Sequence, residues 1–238
     1  MNILAMDTVG QQGSVALLNG DNLTASSQLT TPTGHVVSLP QAISKLLKEA
    51  DLVMADMDLV AVTLGPGSFT GLRIALGMAK GLAIGQGIDV VGISTLEVVA
   101  TGGGGTKDGD YVASLLDARR KEVFFGLYQL VDGGYPKSIR QPVITDPATL
   151  ANELGSDPIF NNQPIFMNGT GIESYSNLFV DALGDRYVPA SASSWQPDPF
   201  VLGSLGRQKF LKHGGDNPAN LQPIYLRRPD AVVKKMVL

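Results

Sequence analysis

Read alone, the sequence predicts an α/β protein of two tandem units, each a mixed β-sheet with crossing helices. Three observations carry this reading. The first hundred residues follow the order β-β-β-α-β-α-β-α; Thr101–Asp110, with five glycines in ten residues, interrupts it; and a similar order then restarts. Glycine clusters of that density punctuate chains between periodic segments.

Each element has its own signal. Ile3–Thr8 is apolar and extended, Ser14–Leu18 follows, and the "NGD" of Asn19–Asp21 is a hairpin turn that returns the chain along Leu23–Leu29. After the break "TPTGH", Val36, Leu39, Ile43, Leu46, Leu47 and Ala50 recur at helical spacing and predict a helix over Val36–Ala50. Leu59–Leu64 is short and wholly apolar, the pattern of a strand buried on both faces. A glycine loop, the helix Phe69–Gln86, a strand at Asp89–Ile93 and a helical turn from Thr95 complete the first unit. Beyond the break, strands are expected at Tyr111–Leu116, Glu122–Leu130 and "RQPVITD", then a helix at Pro147–Leu154, a strand at Pro164–Met167, a further helical stretch and a last helix near Pro199–Lys212. With right-handed crossovers between such strands, the architecture is similar to the ribonuclease H-like unit from which the actin, hexokinase and Hsp70 (ASKHA) superfamily is built. The expected boundaries are 1–104 for the first unit, 105–215 for a degenerate second unit and 216–238 for a basic C-terminal tail.

Composition narrows the function classes. Of 238 residues, 44% are hydrophobic and 17% charged, enough for a sizeable core and unlike a disordered chain. There is no cysteine, which excludes disulfides and thiol chemistry. "MNILAMDT" has no basic leader and reads as a first strand, and no apolar run is long enough to span a bilayer, so a cytoplasmic protein without membrane partners is expected. The net charge of −4 argues against nucleic acid covering the whole surface, although seven Lys or Arg against two Asp from Leu205 onward leave +5 on the C-terminal segment.

The loop Gly65-Pro66-Gly67-Ser68-Phe69-Thr70-Gly71 lies between a strand and a helix start, where free N–H groups can hold a phosphate. It lacks the Lys-Ser or Lys-Thr of a Walker loop and the spacing of the dinucleotide motif. It therefore serves either as a phosphate site, with Gly65, Gly67, Ser68 and Thr70 as candidate contacts, or as a turn that mounts the helix. The helix is the more informative part. Ala75, Met78, Ala79 and Leu82 form one face for the sheet, whereas Leu76, Arg73, Lys80, Gly77 and Ile84 form a second that is small and mostly apolar. An all-round apolar helix is normally covered on both sides, and Gly77, Gly81 and Gly85 allow close approach at about 0.5–1 kcal/mol each in helix propensity. This predicts a protein–protein interface formed by Val36, Leu39, Ile43, Phe69, Leu72, Arg73, Leu76, Gly77, Lys80 and Ile84.

"ILAMDT", "GPGSFTGLRIALGMAKGLA", "GISTLE" (Gly92–Glu97), "DARRKEVFFGLY" (Asp117–Tyr128) and "PIYLR" (Pro223–Arg227) occur in that order from end to end. Together they closely resemble the bacterial TsaB (YeaZ) family. The resemblance implies a role in making N6-threonylcarbamoyladenosine (t6A) in tRNA, as the partner of the catalytic paralogue TsaD and a docking element for the ATPase TsaE. It also implies homodimers formed through the helices Val36–Ala50 and Phe69–Gln86, ATP and metal held by the partner proteins with no cofactor of its own, and tRNA reached through the complex.

The chemistry residues agree with a non-catalytic chain. Catalytic paralogues resemble one another in an H-x-x-x-H metal pair, and the matching positions here hold Thr95 and Val99, while His35 and His213 are far apart. No H-E-x-x-H is present, so a metallopeptidase is not expected. The alternative is an actin-like ATPase or phosphotransferase acting alone. Asp7 and Asp117 sit where that superfamily keeps its acidic residues, and "NGTG" (Asn168–Gly171) resembles an adenosine-side turn, but Gln11 and Gln12 fill the first hairpin. Arg119, Arg120 and Lys121 form a basic connection that, with Arg227, is a candidate contact for RNA or a partner; Arg228, Lys234 and Lys235 extend it toward the C-terminus. No aromatic residue interleaves to stack bases.

Overall fold

Ile3, Leu4, Ala5 and Met6 have no solvent exposure, because their strand β1 (Asn2–Asp7) lies at the centre of a five-stranded sheet. The computed structural model describes residues 1–10, 12–29, 34–103, 105 and 107–227. Gln11, residues 30–33, Gly104, Thr106, Arg228, Lys234 and Lys235 lie outside the described residues.

β2 (Ser14–Asn19) and β3 (Asn22–Gln28) join β1 as an antiparallel hairpin and return, and β4 (Leu59–Thr63) and β5 (Asp89–Ile93) add on the other side in parallel, in the order β3-β2-β1-β4-β5. Alternation along the strands divides the sheet's side chains between two faces. Leu4, Met6, Val15, Leu17, Val60 and Val62 form one core with α1 (His35–Glu49) and α2 (Phe69–Gln86). The short helix α3 (Thr95–Gly102) follows β5.

In the second unit β6 (Tyr111–Asp117), β7 (Val123–Val131) and β8 (Tyr135–Thr145) form an antiparallel meander. After α4 (Pro147–Ser156), β9 (Ile165–Asn168) pairs parallel with β6. α5 (Gly171–Leu183) leads into β10 (Tyr187–Pro189), which completes the order β10-β9-β6-β7-β8. Read from the other edge this is the strand order of the first unit, so the two units share the ribonuclease H-like topology. Phe125, Phe160 and Phe179 fill the second core, and Tyr111 meets Phe160 edge-on at 5.1 Å between ring centroids. β10 escaped the sequence reading because three residues show no periodicity.

The unit boundaries differ from those expected. The first unit comprises Met1–Val98 and Pro197–Ile224; the second comprises Val99–Gln196 and resumes at Tyr225. The last helix, α6 (Pro199–His213), expected in the second unit, packs on β1, β2, β4 and β5. Its glycines make this possible: a Cβ on Gly203 would lie 2.6 Å from Leu18, and one on Gly206 would lie 2.6 Å from Ala61. Residues 216–224, expected in a tail, continue on the same unit, with Asp216 N donating to Val90 O at 2.8 Å and Ile224 N to Leu64 O at 2.6 Å. Lys209 fixes the return by donating to Gly92 O and to Asp216 Oδ2. Asp198 caps α6 by accepting from Phe200 N at 2.7 Å. Asp198→Ala is expected to cost about 1 kcal/mol, read as a lower urea midpoint at unchanged m-value. Among the described residues no helix is long and apolar enough to cross a membrane.

Candidate functional site

The glycine loop is sewn to the β1–β2 turn. Ser68 N donates to Val9 O at 3.0 Å, and Ser68 Oγ accepts from Gly71 N, capping α2. Thr8 Oγ1 donates to Gly71 O at 2.6 Å, and a Cβ on Gly71 would fall 1.8 Å from the Thr8 carbonyl oxygen. A Cβ on Gly67 would meet Val9 at 2.7 Å, and one on Gly65 would meet Leu72 at 2.9 Å. Of the candidate phosphate contacts, Ser68 thus has both its amide and its hydroxyl engaged within the chain, and Gly65 and Gly67 are packed against side chains. Ser68 and Thr70 are exposed, Thr70 on the first turn of α2. The arrangement anchors and orients α2.

Asp7 ends β1 and is 1% exposed. Its Oδ1 accepts from Thr63 Oγ1 at 2.6 Å and from Val9 N at 3.3 Å, while Oδ2 has no hydrogen-bond partner among the described residues. Burial pushes the carboxyl up to about 6, against the opposing pull of the Thr63 and Val9 hydrogen bonds. Ser14, its partner across the β1–β2 ladder, also has a buried hydroxyl without a partner.

Thr95 and Val99, the two positions that the resemblance sets against a metal pair, lie on α3. Thr95 is completely buried, with a hydroxyl that finds no partner, and Val99 is 1% exposed and has no donor atom. This donor set does not fit a metal ion. Among the described residues there is no group of three or more His, Cys, Asp or Glu able to hold one. Glu97, between the two positions, accepts from Ser94 N at 3.3 Å; burial raises its pKa, and the Ser94 amide and the Lys209 charge oppose the rise.

The predicted interface divides. Leu39, Ile43, Leu72 and Leu76 are 0–5% exposed and belong to the core of the first unit. α2 sits rotated from the expected orientation: Leu72, Ala75, Leu76, Ala79 and Ala83 face inward, and Met78 and Leu82 are half-buried at its flank. The solvent-facing side carries Arg73, Gly77, Gly81, Ile84 and Gly85, with Ile84 74% exposed. Lys80 is half-buried, and so is Phe69, whose ring lies 3.9 Å beneath the Arg73 guanidinium carbon. On α1, Val36 is 66% exposed, joined by Val37, which the sequence reading left out. An apolar groove of about 620 Å³ runs between α1 and α2, with Pro40, Leu47, Leu52, Met54, Met78 and Leu82 in its lining.

In the second unit, Asp117 accepts from Arg119 N at 2.8 Å and pairs with the Arg119 guanidinium at 3.4 Å. Asn168 is fully buried and donates to Val99 O and Ser194 O, so the "NGTG" turn is internally satisfied. Arg119, Arg120 and Lys121 are exposed. Arg227 donates to Ala118 O at 2.5 Å and pairs with Glu122, so it braces the turn the three basic residues form.

A family model described as TsaD, tRNA N6-adenosine threonylcarbamoyltransferase, matches residues 29–231. The chain is 36% identical to the tRNA threonylcarbamoyladenosine biosynthesis protein TsaB of Escherichia coli, covering 95% of each, and 30% identical to that of Bacillus subtilis, covering 98% of this chain and 97% of the relative. YeaZ from Pseudomonas aeruginosa superposes with a TM-score of 0.78 at 29% identity, covering 94% of this chain and 99% of that one. A ROK hexokinase from Thermus thermophilus, at TM-score 0.56 and 12% identity over 88% of this chain and 99% of its own, shares the fold. With the sequence and fold alike matched over nearly their whole length, the chain belongs to the TsaB (YeaZ) family of tRNA threonylcarbamoyladenosine biosynthesis proteins.

Proposed function

We propose that this chain is a non-catalytic subunit of the cytoplasmic t6A machinery. Through the solvent-facing sides of α1 and α2 it binds and activates the catalytic paralogue TsaD, and it builds part of the surface on which the ATPase TsaE docks. Alone, it pairs with a second copy through the same helices. ATP and metal belong to the partners, and tRNA is reached through the complex.

One observation carries the reading. Among the described residues a Cβ added to Gly77, Gly81 or Gly85 would meet nothing within 4 Å, so no contact there accounts for these three glycines in one helix. Each lowers helix stability by about 1 kcal/mol relative to Ala. A partner helix that lies close along this strip supplies the missing reason. The buried Thr95 and Val99 support the non-catalytic part of the reading. Its test is omission: a reconstituted mixture of TsaD, TsaE, ATP, threonylcarbamoyl donor and tRNA gains t6A only when this chain is added. Full activity without it removes the proposal.

The unpartnered Oδ2 of Asp7 favours a second reading, an ATPase acting alone. Nucleotide binding by the isolated chain that disappears in Asp7→Ala supports it; no binding by the wild type excludes it.

A further inference from the structure

Arg119, Arg120 and Lys121 adopt φ of 62°, 57° and 62°, three consecutive left-handed residues none of which is glycine or asparagine. L-residues resist this conformation, which they visit as single residues, and it persists only where the surroundings enforce it. Here they do: Asp117 accepts from Arg119 N, Glu122 N donates to Arg119 O, Ala118 N donates to Glu122 O, and Arg227 clasps Ala118 O and the Glu122 carboxylate. The turn is held rigidly in a form that glycine would adopt more readily, yet its three positions carry cations. Arg119, Arg120, Lys121 and Arg227 stand against Asp117 and Glu122, leaving +2 on a chain whose net charge is −4. Successive residues of such a turn fan out by about 100°. Their charges therefore spread apart and suit a line of separate anions better than one carboxylate. Exposed, with no aromatic residue among them, they match a phosphate backbone.

We infer that the Arg119–Lys121 turn is an RNA-backbone contact, gripping phosphates without reading bases. The choice of tRNA as the RNA rests on the proposed function; the site rests on the turn. Arg227 is a positioning residue that holds the turn in shape.

The test measures tRNA binding by the full chain from 50 to 200 mM salt for wild type, for Arg120→Gln combined with Lys121→Gln, and for Lys121→Gly. The double variant is expected to bind about tenfold more weakly, with the slope of log K against log salt reduced by roughly 1.4–1.8, two phosphate contacts. Lys121→Gly is expected to weaken binding several-fold while raising Tm by roughly 2–4 °C, because glycine relieves the left-handed strain. A higher Tm with unchanged affinity overturns the inference. So does a wild type without salt-dependent tRNA binding, or one that binds polyglutamate as tightly as tRNA. Size exclusion of the same variants with TsaD separates the two readings. Failure of the wild type to capture TsaD, with the tRNA effects present, sinks the partner proposal and leaves this one standing.

Discussion

Gly77→Arg is expected to abolish co-elution with TsaD and to reduce reconstituted threonylcarbamoylation by about 100-fold, equivalent to about 2.7 kcal/mol. The fold itself should tolerate the change. Among the described residues no neighbouring group lies within 4 Å of a Cβ at this position, and Arg is the better helix former by roughly 0.8 kcal/mol. A long cation on a strip adapted to close helix approach, by contrast, holds the partner away and is desolvated without a counter-charge. The neighbouring Leu76 cannot serve as the probe. At 5% exposure it belongs to the core, and a charge there would unfold the unit and lose activity for an uninformative reason. The decisive readout combines three measurements: unchanged Tm, lost complex and lost activity. A Gly77→Arg chain that still co-elutes with TsaD rules out this face of α2.

Asp7→Asn is expected to change how stability depends on pH. The native carboxyl titrates near 6 and the unfolded one near 3.8. Between those values the folded chain binds more protons than the unfolded one, so the wild type loses stability as pH rises from about 4 to about 6 and carries the full loss above that. The pKa difference corresponds to about 3 kcal/mol. Asparagine keeps an acceptor for Thr63 and Val9 but carries no charge, so the difference between variant and wild type should shift in the variant's favour by about 3 kcal/mol from pH 3.8 to pH 7. Urea unfolding at a series of pH values measures it. Parallel curves for the two proteins would show that the carboxyl does not titrate in that window.

Much of the architecture was legible. Strands β1 to β5 lay within a residue or two of their expected spans, because each is an uninterrupted apolar run or the arm of an Asn-Gly hairpin. α1, α2 and the repeat of one strand order in both halves were equally readable. What failed was assignment beyond the local chain. The small residues of α6 do not announce which sheet they approach; only Leu18 and Ala61, nearly 200 and 150 residues upstream, do so. The candidate interface was read one step off in angle. On a helix apolar nearly all round, hydrophobicity does not distinguish the face buried by its own unit from the one left open. Leu76 and Leu72, expected in the interface, turned inward, while Gly77, Gly81 and Gly85, read as sites of close helix approach, line the exposed strip. The left-handed conformation of Arg119–Lys121 was not legible at all, since no residue there has the backbone freedom that usually signals such a turn.

The return of α6 to the first sheet also sets a timetable for synthesis. Translation delivers the helix only after residues 99–196 of the second unit, so the nascent first sheet waits with the face over Leu18 and Ala61 uncovered for roughly 100 residues. At about 5–20 residues per second that is an interval of some 5–20 seconds. During it residues 99–196 have the opportunity to fold while the first sheet is still incomplete. Ribosome-bound chains ending near residue 196 should therefore remain protease-sensitive within residues 1–98, and chains extended past residue 224 plus the exit tunnel should not.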